Sequence, residues 1–276
     1  MNIPLSGKLA EKNIRRIGYG TMRLAGEGVW GPPKNEYDSI KILRQIIESG
    51  IQHIDTADSY GPHISEELIC KALYPYSDDL LIATKGGFTR QGPGKWAPCG
   101  VPAYLRQCVE LSLRRLKLEA IDLYYLHRID PNIPLSDQVG ELEDLRKEGK
   151  IKSIGLSKVG VQEIIEAMKI TKISAIQNKF NILSNSQSDE VIKFCEEKDI
   201  AFVPYSPLAS GECLTRKISF YNNEQNISKA TLALAWLLRY STIIFPIPGT
   251  SNIIHFKENI LSEEIIQKDF HLKLEY

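Results

Sequence analysis

The chain has 276 residues, with 34 Lys plus Arg balancing 34 Asp plus Glu, so no net field draws it to nucleic acid or to an anionic membrane. No apolar stretch approaches the ~20 residues of a membrane span, and the polar start, residues 1 to 14, lacks a signal-peptide core. The five cysteines (70, 99, 108, 195 and 213) are scattered without a C-x-x-C pair, which reads as reduced thiols in a cytoplasmic protein.

Along the chain, short apolar runs alternate with helical spacing. Ile17 to Thr21 reads as a first strand, and Ile40, Leu43, Ile46 and Ile47 repeat as on a helix that Gly50 ends. The run Ile51 to Asp55 comes next, then a helix opening near Ser65, read as its N-cap with Glu66 and Glu67 in the first turn. Leu80 to Lys85 leads into a Gly/Pro-rich connector, residues 86 to 102, and a helix through Leu105, Val109, Leu113 and Leu116. Ile121 to His127 precedes a helix with Val139, Leu142 and Leu145, closed by Gly149. Ile151 to Leu156, Ile173 to Gln177, Ile200 to Pro204 and Thr242 to Ile247 read as strands five to eight, each followed by a helical pattern.

Eight strand–helix units with nearly continuous apolar strands predict a closed (β/α)8 barrel, one α/β domain over residues 1 to 276. An open dinucleotide-binding sheet would carry G-x-G-x-x-G between a strand and a helix, and none is present. The longest connectors, residues 86 to 102 and 205 to 227, both follow strands and so belong over the carboxyl rim, where barrel enzymes keep their sites.

Asp55, Tyr60, Lys85 and His127 lie just past the ends of three consecutive strands, so one rim brings them together. Read alone, Asp55 is a loop cap and Tyr60 is rim packing. Lys85 is more telling, because a lysine ending a buried strand is costly without a partner or a task. A carboxylate, a phenol, an ammonium and an imidazole in one place make a tunable proton donor.

The segments Gly18-Tyr-Gly-Thr-Met22, His53-Ile-Asp-Thr-Ala-Asp-Ser-Tyr-Gly61, Ala83-Thr-Lys85, Leu126-His127, Gly155-Leu-Ser157, Gln177-Asn178, Tyr205-Ser-Pro-Leu208 and Ile247-Pro-Gly-Thr250 occur in order. Together they resemble an aldo-keto reductase. Residues 26 to 33, 60 to 63 and 72 to 79 are most similar to its bacterial pyridoxal-reductase-like branch.

The resemblance implies an NADPH-dependent reduction of a small carbonyl compound, with pyridoxal to pyridoxine as the branch reaction. Tyr60 would be the proton donor, its pKa lowered by Lys85, with Asp55 holding Lys85 and His127 orienting the substrate oxygen. Gly20, Thr21 and Met22 belong to the implied cofactor site. Ser157 and Gln177 would hold the nicotinamide carboxamide, Tyr205 would stack on its ring, and Ser206, Leu208 and Ser210 would wrap the pyrophosphate. Gly249, Thr250 and Ser251, with His255, would receive the adenosine phosphate at a helix start, and Glu258 and Asn259 the adenine. Trp30, Phe88 and Trp96 are the expected substrate wall, and no metal is expected. The state expected is a monomer or weak homo-oligomer.

Lys158 replaces the usual Asn beside Ser157, Gly249 a frequent Lys, and His255 the Arg that clamps a 2′-phosphate in many members. The alternative reading is a non-catalytic NADPH-binding regulatory module of the same fold.

Overall fold

The apolar runs pair in parallel, each with the one before it, and the sheet curls. The computed structural model describes residues 3–184, 188–215, 218–221, 227–268 and 271–274. An antiparallel hairpin of β1 (Ser6–Leu9) and β2 (Lys12–Arg15) comes first. It is followed by β3 (Tyr19–Gly20), α1 (Glu36–Glu48), β4 (His53–Asp55), α2 (Ile64–Leu73) and β5 (Leu81–Gly86). A second hairpin, β6 (Phe88–Gly92) and β7 (Lys95–Pro98), precedes α3 (Pro102–Leu116), β8 (Leu123–Leu126) and α4 (Leu135–Lys147). Then come β9 (Ile154–Ser157), α5 (Val161–Met168), β10 (Ile173–Gln177), α6 (Asp189–Glu197) and β11 (Ala201–Phe202). The described chain ends with α7 (Glu212–Thr215), β12 (Ile218–Tyr221), α8 (Lys229–Tyr240), α9 (Ile253–Ile260), α10 (Ser262–Ile265) and β13 (His271–Leu274), with β13 antiparallel to β12.

Seven strands, β3-β4-β5-β8-β9-β10-β11, form one parallel sheet. The eighth expected strand closes it. Phe202 N–H donates to Ile243 O at 2.9 Å and Phe245 N–H to Phe202 O at 2.8 Å, while Gly18 N–H donates to Pro246 O at 2.9 Å on the other side. Pro246 and Pro248 have no N–H to give, so at these two positions the segment pairs through its carbonyls alone. The result is the (β/α)8 barrel.

Side chains alternate between faces along each strand. Ile54, Ile82, Tyr124, Leu126, Ile154 and Ile176 point outward and pack with Leu43, Ile69, Leu105, Leu142, Ile164 and Ile192 of the helices. Leu81, Ala83, Leu123, Tyr125, Ala175, Val203 and Phe245 fill the barrel. The same alternation points Asp55 and Lys85 inward at the carboxyl ends of β4 and β5. At the opposite end, Leu9 and Ile14 of the first hairpin join the interior cluster. The segment read only as polar is therefore a plug, with Ile14 buried and its strand neighbours Asn13 and Arg15 less so.

Helix boundaries mostly follow local signals. Asn35 caps α1 by accepting from Tyr37 N–H at 3.0 Å, and Gly50, with φ of 83°, turns the chain after it. The start of α2 departs from expectation. His63, in the left-handed region at φ 73°, takes the cap position, and Ser65 lies inside the first turn, buried. Its hydroxyl donates to Thr21 O at 3.5 Å, a long-range partner that the local pattern does not show. The connector of residues 86 to 102 is largely the β6–β7 hairpin, and that of 205 to 227 holds α7 and β12. Residues 216–217 and 222–226 lie outside the described residues.

Candidate active site

The rim brings the four ionisable groups together. Lys85 and Asp55 are buried, and Lys85 Nζ donates to Asp55 Oδ1 at 2.5 Å and to Thr56 O at 2.7 Å. Gln177, at the end of β10, donates from Nε2 to Asp55 Oδ2 at 2.8 Å. Both carboxylate oxygens are thus satisfied, as a buried charge requires. Burial pushes the Asp55 carboxyl upward against the pull of Lys85, while the Lys85 ammonium sits above its ordinary value because Asp55 and Tyr60 outweigh its burial.

Tyr60 rides on the loop between β4 and α2. Backbone bonds pin that loop to β5, from Thr56 N–H to Ala83 O at 2.8 Å and from Asp58 N–H to Lys85 O at 3.1 Å. The Tyr60 ring centroid stands 5.2 Å from Lys85 Nζ. Burial raises the phenol pKa above its ordinary value, and the opposing pull of Lys85 does not reverse it. This corrects the expectation of a lowered pKa. His127 is buried and held neutral, its pKa well below the ordinary imidazole value through burial first and then Lys85, Arg128 and Arg90. Ser59 Oγ lies 3.3 Å from His127 Nδ1. If Ser59 donates there, the ring proton is on Nε2 and available to a substrate oxygen.

Around these groups lies a cleft of about 930 Å³. Of the expected cofactor residues, Gly20, Thr21, Met22, Ser157, Gln177, Tyr205, Ser206, Leu208, Ser210, Gly249, Thr250, His255, Glu258 and Asn259 line it, and Ser251 does not. Gly249 has a steric reason to lack a side chain, since a Cβ there would meet Gly20 O at 2.6 Å. Lys158 is exposed at φ 57° and stays outside the lining. Phe88 and Trp96 line the cleft and pack edge-on to His127, at centroid distances of 4.7 and 6.5 Å. Trp30 does not line it; it stands outside, 5.5 Å from the guanidinium of Arg90.

Two arginines escaped the sequence reading. Arg90 lies 3.5 Å from the Trp96 ring centroid. It donates to Gly28 O at 3.1 Å, Val29 O at 2.8 Å and Lys95 O at 3.0 Å, and also to Ser59 O, tying three rim loops together. Arg128 lines the cleft and donates from Nη1 to His127 O at 2.6 Å and Ser157 Oγ at 2.9 Å. Its place directly after a strand-end histidine was the available signal. Among the described residues, no group of three or more His, Cys, Asp or Glu could hold a metal ion, and no helix is long and apolar enough to cross a membrane.

A buried lysine–carboxylate pair beneath a tyrosine and a histidine, at the open rim of a (β/α)8 barrel, narrows the class of protein. The Aldo/keto reductase family model matches residues 16–271, and the chain belongs to that family. The chain is 44% identical over 269 residues to an uncharacterised oxidoreductase of Schizosaccharomyces pombe, covering 95% of this chain and 87% of that protein. It is 38% identical over 264 residues to the pyridoxine 4-dehydrogenase of Escherichia coli, covering 93% and 92%. Among solved structures, an aldo-keto reductase of Bacillus halodurans in its holo form matches with a TM-score of 0.80 at 26% identity, over 95% of this chain and 91% of that one. The fold is also that of an aldo-keto reductase of Klebsiella pneumoniae in complex with NADPH, with a TM-score of 0.78 at 23% identity over 96% and 91%. The chain is an oxidoreductase.

Proposed function

We propose that this chain is a cytoplasmic, NADPH-dependent reductase of aldehydes or ketones, with Tyr60 as the proton donor. The observation that carries the reading is Lys85, bonded to Asp55 and placed 5.2 Å from the Tyr60 ring, with His127 beside them on the same rim. This intact set favours turnover over a quiet regulatory role. All five cysteines are free, which suits a reducing compartment.

The cleft residues fit the cofactor. Asn259 is buried with its Oδ1 lacking a hydrogen-bond partner, an acceptor suited to the amino group of an adenine. At the other end Tyr205 offers a ring face, with Ser157 and Gln177 beside it for a carboxamide. Thr250 and His255, about α9, line the same cleft and are the proposed seat of a 2′-phosphate. NADPH, when bound, supplies hydride to the carbonyl carbon. Tyr60 gives its proton to the carbonyl oxygen, and Lys85 stabilises the phenolate left behind. Neutral His127 donates to the same oxygen and orients it.

For the substrate we propose pyridoxal, reduced to pyridoxine. The 38% identity to pyridoxine 4-dehydrogenase supports it, as does the aromatic wall of Phe88 and Trp96 for a flat ring. The test is NADPH absorbance with 4-nitrobenzaldehyde and with pyridoxal. Consumption with both supports the full reading. Turnover of nitrobenzaldehyde alone removes only pyridoxal, and no consumption with any aldehyde removes the reductase.

A further inference from the structure

The proton relay described above gives Arg128 no task. Arg128 lines the cavity, partly buried, with its guanidinium carbon 5.6 Å from the Phe88 ring centroid and 5.7 Å from that of Tyr205. A guanidinium carries five N–H donors. Those on Nη1 serve His127 O and Ser157 Oγ, while Nε and Nη2 have no acceptor among the described residues. Nor does any described carboxylate pair with it. Of the acids lining the cleft, Asp55 is bound to Lys85 and Gln177, and Glu258 makes no ion pair with Arg128. A desolvated cation without a counter-ion is unfavourable by itself. Its planar fork matches an anionic oxygen, and the Phe88 ring beside it matches a flat molecule.

Position separates Arg128 from the cations suited to nucleotide phosphates. Arg23 borders Gly249, its Cγ 3.7 Å from where a Cβ of that residue would stand, and His255 lies on α9. Arg128 instead shares the Phe88 wall with His127, whose ring is 4.7 Å from that of Phe88. An anion held by Arg128 therefore belongs to the molecule whose carbonyl meets His127 and Tyr60.

We propose that Arg128 is a substrate-anion site, and that the preferred substrates are flat carbonyl compounds bearing an anionic oxygen, a carboxylate or an ionised aryl hydroxyl, near the carbonyl. This rests on the reductase reading and narrows its substrate class. Pyridoxal falls within the class through the aryl hydroxyl beside its formyl group.

The experiment compares kcat/KM at saturating NADPH within two pairs, 3-formylbenzoate against benzaldehyde and pyridoxal against 3-O-methylpyridoxal. The first pair reports a carboxylate and the second an aryl oxide. The expected result is a roughly 10- to 100-fold preference for the anionic member of at least one pair, carried mainly by KM, the size of a charge-assisted hydrogen bond. Arg128→Met, which keeps bulk but not charge, should bring that ratio to about one, and Arg128→Lys should keep part of it. No anionic preference in the wild type overturns the inference even where the variants fail to fold. So does a preference that survives in Arg128→Met. Turnover of benzaldehyde or 4-nitrobenzaldehyde without anionic preference sinks this inference alone, whereas an enzyme idle on all of these aldehydes sinks the reductase reading and this inference with it.

Discussion

Lys85 Nζ lies 5.2 Å from the Tyr60 ring centroid, yet the phenol pKa is raised, because burial outweighs the ammonium. A free phenol titrates near ~10. Tyr60 is therefore protonated throughout the neutral range. The ammonium acts mainly on the phenolate that forms when the proton leaves.

The pH dependence follows from these directions. An acid works below its pKa and fails above it, so a raised Tyr60 moves the descending limb to higher pH. His127, with its pKa well depressed, stays neutral and adds no limb of its own. We predict that kcat/KM for reduction is level from about pH 6 to about pH 9 and falls only beyond ~10. A break near ~6.5 in the pH–rate profile would contradict the assignment of a neutral His127.

Lys85→Met removes one member of a buried pair and leaves Asp55 uncompensated. The expected loss is about 3 to 5 kcal/mol of stability, larger as pH rises because protonation of Asp55 relieves it at low pH. Reduction should be lost together with it. Unchanged melting at pH 8 would mean that the pair contributes nothing.

Asp58 offers a separate test. Burial first, and then Glu66, raise its carboxyl to about 7, and Oδ1 has no hydrogen-bond partner. The folded pKa exceeds the unfolded one, so the native state binds the extra proton. Stability then falls as pH climbs from ~4 to ~7, by up to about 4 kcal/mol for three units, and is level above. Asp58→Asn should raise Tm by several degrees at pH 8 and leave it nearly unchanged at pH 4. Equal effects at both pH values would refute the buried-acid account.

Arg90→Met should free the β6–β7 hairpin, because five carbonyls on three loops lose a donor and Trp96 its stacking partner. We expect KM for aromatic aldehydes to rise about tenfold with a smaller change in kcat, about the worth of one charge-assisted hydrogen bond, since most of the lost bonding is repaid by water at the rim. Arg90→Lys should not rescue, since an ammonium cannot span the fork. Intact KM values in both variants would show that the hairpin is held by other contacts.

Most of the barrel was legible because apolar strands and helical spacing write a local pattern. The plug was not, since only Leu9 and Ile14 point inward from otherwise polar strands. The eighth strand was visible as a run, but Pro246 and Pro248 thin its ladder. Asp55, Tyr60, Lys85 and His127 stood out by their places at strand ends. Arg90 did not, because its partners are backbone carbonyls of distant loops, which leave no mark in side-chain spacing. The direction of the Tyr60 pKa also escaped. Sequence shows that a lysine is near, but not how dry the phenol is.

The most direct test of the central claim is Tyr60→Phe, measured for kcat with 4-nitrobenzaldehyde and, in parallel, for NADPH affinity by fluorescence titration. The account predicts kcat lower by ~100- to 10,000-fold, the worth of a positioned general acid, with NADPH binding within a few-fold of the wild type. A Phe variant that turns over at near-normal rate would remove Tyr60 as the proton donor.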